Sequence, residues 1–288
     1  MATNSDITVI RTVVDLRAHI SVWRSAGETI ALVPTMGALH DGHMALVHRA
    51  QEIASKVCVT LFINPTQFGE NEDLDTYPQN EDQDKALLSA AGIELLYAPH
   101  PSEMYDVAEA TRISVEELGD CLEGAHRPGF FTGVATVVAK LLLQTLPDFA
   151  LFGEKDFQQL QVIKRMVKDL SIPVVIEGVP CIREKNGLAL SSRNTYLNTD
   201  ERKIAPALYK TMNEMAENIR KNMSIKDSST LAKASLLDAG FTSVDYLVAC
   251  NSSDLSFITS LADVDTNKGR ILGAAWLGKT RLIDNIAI

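Results

Sequence analysis

Cysteine is scarce in this chain. The four present, Cys58, Cys121, Cys181 and Cys250, lie far apart with no Cys-x-x-Cys pair. No disulfide framework follows from such spacing, which fits reduced thiols in a cytoplasmic protein. Cys58 sits inside an apolar run and reads as core. Positive charge is also short: 27 Lys and Arg against 37 Asp and Glu leave a net charge of −10. A general nucleic-acid binder needs a basic face, so that class is disfavoured, whereas a small anion in a local basic pocket is not. No run reaches the roughly 18 apolar residues of a membrane span; the stretch 134–146 is interrupted by Lys140 and Gln144. Residues 1–20 mix apolar residues with Asp6, Arg11, Asp15 and Arg17 and lack the apolar core of a signal peptide. There is no internal repeat, no low-complexity tract and no Gly-x-x-x-x-Gly-Lys-Ser/Thr phosphate loop.

What is present is an alternation of apolar strands and helices. Strands are expected at 30–33, 57–64, 93–97, 149–152 and 173–179, with helices at 44–56, 80–91, 133–146 and 157–170. Continuous apolar strands separated by helices predict a parallel sheet covered on both faces. At 288 residues the chain is long enough for two domains of roughly 150 residues each. Its last third changes character. A long helix is expected at 200–222, a polar segment at 223–228, a helix at 229–239, and strands at 243–250, 270–276 and 280–285. The expectation is therefore an α/β fold: a Rossmann-like, doubly wound parallel sheet (1–181) followed by a smaller C-terminal α+β lid domain (182–288).

In such sheets ligands bind at the carboxyl ends of strands. The decapeptide Pro34-Thr35-Met36-Gly37-Ala38-Leu39-His40-Asp41-Gly42-His43 lies at such an end and opens a helix. A helix N-terminus presents N–H groups and a positive dipole end, which suit an anion, usually phosphate. Two imidazoles add polar donors, and Gly37 and Gly42 let a bulky ligand approach the backbone. This reads as a nucleoside triphosphate site. Taken alone, His-x-x-His is also compatible with two surface residues or half a zinc site. No third ligand sits nearby in a recognisable pattern, and His48 points to another side of the helix.

Three further segments carry polar chemistry. In Asn64-Pro65-Thr66-Gln67-Phe68, two side-chain amides at a strand end can read a hydroxyl and a carboxylate together; a capped turn is the plainer alternative. In Gly153-Glu154-Lys155-Asp156-Phe157-Gln158-Gln159, Lys155 can meet phosphate and Asp156 a ribose or hydrated Mg²⁺, unless Asp156 is only a helix cap. Ser191-Ser192-Arg193-Asn194 places two hydroxyls and a guanidinium close together, a compact phosphate clamp or else a solvated turn.

These segments, with Arg-Pro-Gly-Phe-Phe-Thr-Gly-Val at 127–134 and Thr-Arg-Leu-Ile-Asp-Asn at 280–285, together resemble the pantothenate synthetase (pantoate–β-alanine ligase) family, within the nucleotidyltransferases that carry a His-x-x-His loop. The six motifs stand in order across nearly the whole chain. The resemblance implies an AMP-forming ligase that joins pantoate to β-alanine, with ATP as co-substrate and Mg²⁺ alongside. The pantoate carboxylate attacks the α-phosphorus, and the amine then displaces AMP from pantoyl adenylate.

The resemblance also implies roles. His40, His43, Lys155, Ser191 and Arg193 would be catalytic, with His43 in the position of a proton donor. Met36, Gly37, Ala38, Leu39, His40, Asp41, Gly42 and His43 would bind ATP. So would Gly153, Glu154, Lys155, Asp156, Ile182, Leu190, Ser191, Ser192 and Arg193. Gln67 and Gln159 would hold the substrate acid, and Asp84 is a candidate on the magnesium side. A homodimer is implied, with no nucleic-acid or membrane partner. The apolar stretch 270–288 could serve a dimer contact or simply fill the small domain's core. Two positions depart from the family pattern: Phe130 replaces a His, and Gln79 replaces an Arg.

Competing readings are an adenylylating enzyme of the same fold acting on a phosphorylated cofactor precursor, a tRNA synthetase, and a nucleotide sensor without catalysis. The Gln67/Gln159 pair disfavours the first. The acidic charge and the lack of an RNA-binding arm disfavour the second, and intact His40, His43, Lys155 and Arg193 disfavour the third.

Overall fold

The computed structural model describes residues 7–70, 72–260, 262 and 268–288. The chain separates into two compact units. The first comprises Met1–Glu154 and Val162–Pro180; the second comprises Lys155–Gln161 and Cys181–Ile288.

The first unit is built on strands β1 (Thr8–Ile10), β2 (Ile30–Thr35), β3 (Lys56–Leu61), β4 (Leu95–Tyr97), β5 (Phe149–Gly153) and β6 (Val175–Val179). They form one sheet in the order β1-β4-β3-β2-β5-β6, and every pair is parallel. Its helices are α1 (Val13–Ser25), α2 (Asp41–Ile53), α3 (Glu81–Ala90), α4 (Pro101–Met104), α5 (Glu123–His126) and α6 (Phe130–Thr145). Helix α7 (Phe157–Asp169) follows β5, and its first turn groups with the second unit.

Alternation along the strands explains the apolar runs. Ala31, Val33, Val57, Val59, Leu96 and Leu151 pack on one face with Leu46, Val47 and Ala50 of α2 and Leu88 of α3. The intervening Leu32, Cys58, Leu95 and Ala150 are fully buried as well, so both faces are covered. Burial pushes the Cys58 thiol up to about 12, which keeps it an inert core group. Helix α6 is buried almost all round, as its near-continuous apolar sequence demands. The chain runs from β2 to β3 on one side, and β5 returns on the other side of β2. The carboxyl end of β2 is therefore a switch point of the sheet, where a ligand crevice forms.

The second unit is an antiparallel sheet of β7 (Ser243–Asn251), β8 (Gly269–Leu277) and β9 (Thr280–Ala287), with α8 (Thr199–Ile204), α9 (Ala207–Arg220) and α10 (Ile225–Asp238). Leu208, Met212 and Met215 of α9 pack with Leu236 of α10, Leu247 of β7 and Ile271, Ala275 and Leu282 of β8 and β9. From the stretch 270–288, Ile271, Ala275, Leu277 and Leu282 thus lie in this core, whereas Leu272, Ala274, Trp276 and Ile283 are not part of it.

Several expected boundaries move, each for a local reason. The single helix at 200–222 is two, because Pro206 lacks an N–H and starts α9 afresh. The polar segment at 223–228 instead runs into α10, which already begins at Ile225. There Ser224 caps the helix by accepting from Asp227 N. The strand at 57–64 ends at Leu61, and residues 62–64 lead into a short 3₁₀ turn, Pro65–Gln67. Helix α2 begins at Asp41, three residues before its apolar periodicity, because His40 caps it. β1 and α1 had no counterpart among the expected elements; β1 is only three residues long.

Candidate active site

The loop leaving β2 is held by backbone chemistry that the sequence only hints at. Thr35 Oγ1 donates to the Thr60 carbonyl at 2.7 Å and accepts from Gly37 N at 3.3 Å. Gly37 (φ 90°) and Ala38 (φ 51°) both take the left-handed region, which is unusual for alanine. A Cβ at position 37 would also sit tightly against Asp84 Oδ2 at 3.1 Å, so both the backbone conformation and the space favour glycine. Asp84, 2% exposed on α3, secures the turn. Its Oδ2 accepts from Ala38 N at 2.9 Å and its Oδ1 from Leu39 N at 2.8 Å. Burial raises its carboxyl above the ordinary range, aided by the charge of Glu81, while the two amides oppose the rise. Each oxygen of the expected magnesium-side residue therefore accepts one amide of the loop after β2. Among the described residues no cluster of three or more His, Cys, Asp and Glu could hold a metal.

His40 and His43 form a reciprocal cap on α2. Gly42 N donates to His40 Nδ1 at 3.1 Å, and His40 N donates to His43 Nδ1 at 3.3 Å. The rings lie 4.2 Å apart, tilted by 37°. An amide can donate only to a nitrogen with a lone pair, so the ring hydrogen of both histidines resides on Nε2. The expectation of bare helix amides facing an anion changes accordingly. The amides of Ala38, Leu39, His40 and Gly42 are used within the loop and by Asp84, and the imidazoles bring Nε2–H donors. Met36 and Leu39 flank this turn and Asp41 is exposed in the first turn of α2.

The 64–67 turn is both a cap and a polar site. Asn64, 1% exposed, accepts at Oδ1 from Thr66 N (3.3 Å), Thr66 Oγ1 (2.9 Å) and Tyr105 OH (2.7 Å). Its Nδ2 donates to the Gly133 carbonyl at 3.2 Å and to Gln67 Oε1 at 3.0 Å. Gln67 Nε2 donates to Met36 Sδ at 3.1 Å, tying this turn to the histidine loop. Arg127 backs the turn: it donates to the Gln67 carbonyl at 3.3 Å and to both oxygens of Glu72, and its guanidinium lies 3.7 Å from the Phe130 ring centre. Phe130, where the family has histidine, thus stacks on a cation. Gln79 is exposed. Helix α6 can approach only because position 133 is glycine; a Cβ there would press into the Thr66 carbonyl. Gly133→Ala is therefore expected to cost about 1–3 kcal/mol of stability through overpacking. Thermal unfolding checks this, and an unchanged midpoint would show that α6 and the turn separate freely.

Of the remaining expected residues, Gly153 and Glu154 belong to the first unit and the others to the second. Gly153 ends β5 and has open space where a Cβ would be. Glu154, Lys155 and Asp156 make a 3₁₀ turn directly before α7, with Lys155 Nζ 3.7 Å from Asp156 Oδ1. Gln159 is half-buried in the first turn of α7. Ile182 and Leu190 are adjacent, because residues 183–189 form a hairpin and Leu190 N donates to the Ile182 carbonyl. Ser191, Ser192 and Arg193 follow, half-buried at the start of a 3₁₀ helix, Ser192–Tyr196. Ser191 Oγ accepts from Arg193 N at 3.3 Å, so Ser191 caps this 3₁₀ helix.

The motif at 280–285 explains itself here. Asp284 receives both guanidinium nitrogens of Arg183 at 2.6 and 2.8 Å. Asn285 Nδ2 donates to the Lys155 carbonyl at 2.9 Å, and its Oδ1 accepts from Arg270 Nε at 2.7 Å. Strand β9 thereby holds the Lys155 turn and the 183–189 hairpin together. Removing one partner of a buried ion pair is strongly destabilising, by about 3–5 kcal/mol. Asp284→Ala should accordingly lower the melting temperature of the protein, and differential scanning calorimetry would reveal no shift if the pair were idle.

The pantoate-beta-alanine ligase family model matches residues 8–287. A pantothenate synthetase of Paramagnetospirillum magneticum is 51% identical over 282 residues, covering 98% of each chain. One from Caulobacter vibrioides is 50% identical over 280 residues, covering 97% of this chain and 98% of that protein. The crystal structure of pantothenate synthetase from Thermus thermophilus superimposes with a TM-score of 0.90 at 43% identity, covering 97% of this chain and 99% of that one. The pantoate-beta-alanine ligase of Francisella tularensis, complexed with beta-gamma ATP and beta-alanine, matches with a TM-score of 0.79 at 33% identity, covering 98% of this chain and 97% of that one. This chain belongs to the pantoate–β-alanine ligase family.

Proposed function

We propose that this chain condenses pantoate with β-alanine to give pantothenate, consuming ATP and releasing AMP and pyrophosphate. The observation that carries the reading is the reciprocal cap: two imidazoles, each with Nδ1 accepting a backbone amide, at the entrance of a helix at the sheet's switch point. The Francisella relative's complex with an ATP species and β-alanine supports both substrates.

A carboxylate oxygen of pantoate attacks the α-phosphorus. The bond from that phosphorus to the bridging oxygen breaks, and pyrophosphate leaves with the electron pair. The amine of β-alanine then attacks the acyl carbon, the carbon–oxygen bond to phosphate breaks, and the nitrogen loses a proton as AMP departs. In the first step His40 and His43 donate to phosphate oxygens as charge builds up, which is where such donors help most. Lys155 and Arg193 neutralise phosphate charge, with Ser191 and Ser192 as hydroxyl donors. Gly37, Ala38, Gly42 and Gly153 let the nucleotide approach the backbone, and Ile182 and Leu190 line it. Gln67 and Gln159 hold pantoate. Mg²⁺ would accompany ATP and help neutralise phosphate charge; Asp84, whose two oxygens each accept one amide of the loop, acts first as a positioning residue for that loop.

The test is an assay for AMP with ATP, pantoate and β-alanine, each omitted in turn. AMP should accumulate only when all three are present, and ADP as the nucleotide product would remove the adenylate route.

The enzyme is further proposed to be a cytoplasmic homodimer. The family resemblance supports this; of the apolar residues of 270–288, Ile271, Ala275, Leu277 and Leu282 lie in the second unit's core and so do not bear on it. Among the described residues no helix is long and apolar enough to cross a membrane. Sedimentation at micromolar concentration should give twice 31.5 kDa, and a monomer of that mass would defeat the dimer.

A further inference from the structure

A glutamine amide has two ends of nearly equal shape and opposite chemistry: Oε1 accepts and Nε2 donates. Which end Gln67 offers to a substrate depends on what holds the other. The structure leaves no freedom here. Thr66 N can only donate and the Gly133 carbonyl can only accept, and these two backbone groups fix the orientation of the Asn64 amide between them. Its Oδ1 is the acceptor, shared with Thr66 Oγ1 and Tyr105 OH. Its Nδ2 must therefore donate, and the second of its hydrogens goes to Gln67 Oε1. Gln67 Nε2 is then the opposite end, turned toward Met36 Sδ, a weak acceptor on the histidine loop.

We propose that Tyr105, Thr66 and Asn64 form a polarity relay that makes Gln67 an obligate hydrogen-bond donor to the substrate. The relay selects an oxygen acceptor, a carboxylate or hydroxyl of a hydroxy acid, and rejects an ammonium or amide nitrogen at that point. Tyr105 and Asn64 are positioning residues; neither need touch the substrate. The Tyr105 ring is itself placed, with Lys140 Nζ 5.2 Å from its centre and Phe62 6.2 Å away. Burial pushes its phenol above the ordinary range, so it keeps the proton it donates. This inference rests on the reading of Gln67 as a substrate-binding residue.

The experiment measures steady-state KM for pantoate and for ATP in Asn64→Asp, Tyr105→Phe, Gln67→Ala and the double variant Asn64→Asp/Gln67→Ala. The carboxylate introduced by Asn64→Asp has the shape of the asparagine amide but no hydrogen to give. Gln67 must then turn Nε2 toward it and offer Oε1 to the substrate. The expected result is a rise in KM for pantoate of about 10–100-fold, the scale of one lost hydrogen bond and one buried group left unpaired, with KM for ATP nearly unchanged. Tyr105→Phe removes one of three donors to Asn64 and should raise KM for pantoate by about threefold. The double variant should raise KM for pantoate no further than Gln67→Ala alone, because the relay reaches the substrate only through Gln67; the bond from Asn64 Nδ2 to the Gly133 carbonyl is lost in both Asn64→Asp variants and is read separately as a lower thermal midpoint. A rise in KM with Gln67→Ala but none with Asn64→Asp or Tyr105→Phe overturns the relay. No rise with Gln67→Ala overturns instead the assignment of Gln67 to the substrate, and the relay with it.

Discussion

Alanine in place of His43 is expected to slow formation of the acyl adenylate by on the order of 10²–10³, the usual cost of removing one donor aimed at developing charge. The cap geometry makes the test sharper than a simple deletion. His43 Nδ1 accepts the amide of His40, so alanine also removes a helix cap, worth about 1 kcal/mol of stability. His43→Asn separates the two effects: it retains an acceptor for the cap but has no Nε2–H. Stability should recover while the rate does not. His40→Ala should behave like His43→Ala. The second step should suffer less when pantoyl adenylate is supplied directly, because the triphosphate has already left. Single-turnover kinetics of each half-reaction decide. If both alanine variants adenylate pantoate near the wild-type rate, the pair is a helix cap and nothing more.

Asp84→Ala should be nearly as damaging although its carboxylate is engaged by the loop backbone. The substitution leaves the amides of Ala38 and Leu39 without their acceptor and releases a left-handed alanine from the conformation those two bonds enforce. A displacement of about 1 Å in a positioned group can cost on the order of 10²-fold in rate. The loss is therefore expected in kcat/KM for ATP at about that scale. Asp84→Asn should not rescue it, because an amide replaces one of the two acceptor oxygens with a donor that faces a donor. A fully active Asp84→Asn enzyme would show that one bond suffices. A variant with normal ATP kinetics but weakened magnesium dependence would return Asp84 to the metal.

Much of this architecture was legible in the sequence. The strands at 30–33 and 149–152 announced themselves as unbroken apolar runs because the sheet buries them on both faces. The histidine loop was legible because strand, glycine turn and helix follow one another within a few residues. The single helix at 200–222 failed at Pro206, where an amphipathic pattern that continues on both sides concealed a real break. The tasks of Asp84, Tyr105, Asp284 and Asn285 were beyond sequence reading for a different reason. Asp84 meets the loop across 45 and 46 positions, Tyr105 meets Asn64 across 41, Asp284 meets Arg183 across 101, and Asn285 meets Lys155 across 130. No periodicity links such pairs; only the fold brings them together. The 280–285 motif could be recognised without any indication that it serves as a clamp.

The central claim is that the enzyme makes an acyl adenylate, and isotope exchange tests it most directly. Enzyme, ATP, pantoate and labelled pyrophosphate are incubated without β-alanine, and label in ATP is followed over time. A reversible first step predicts that label enters ATP only when pantoate is present, and far more slowly with His43→Ala. No pantoate-dependent exchange, with the complete reaction still forming pantothenate, would contradict the account.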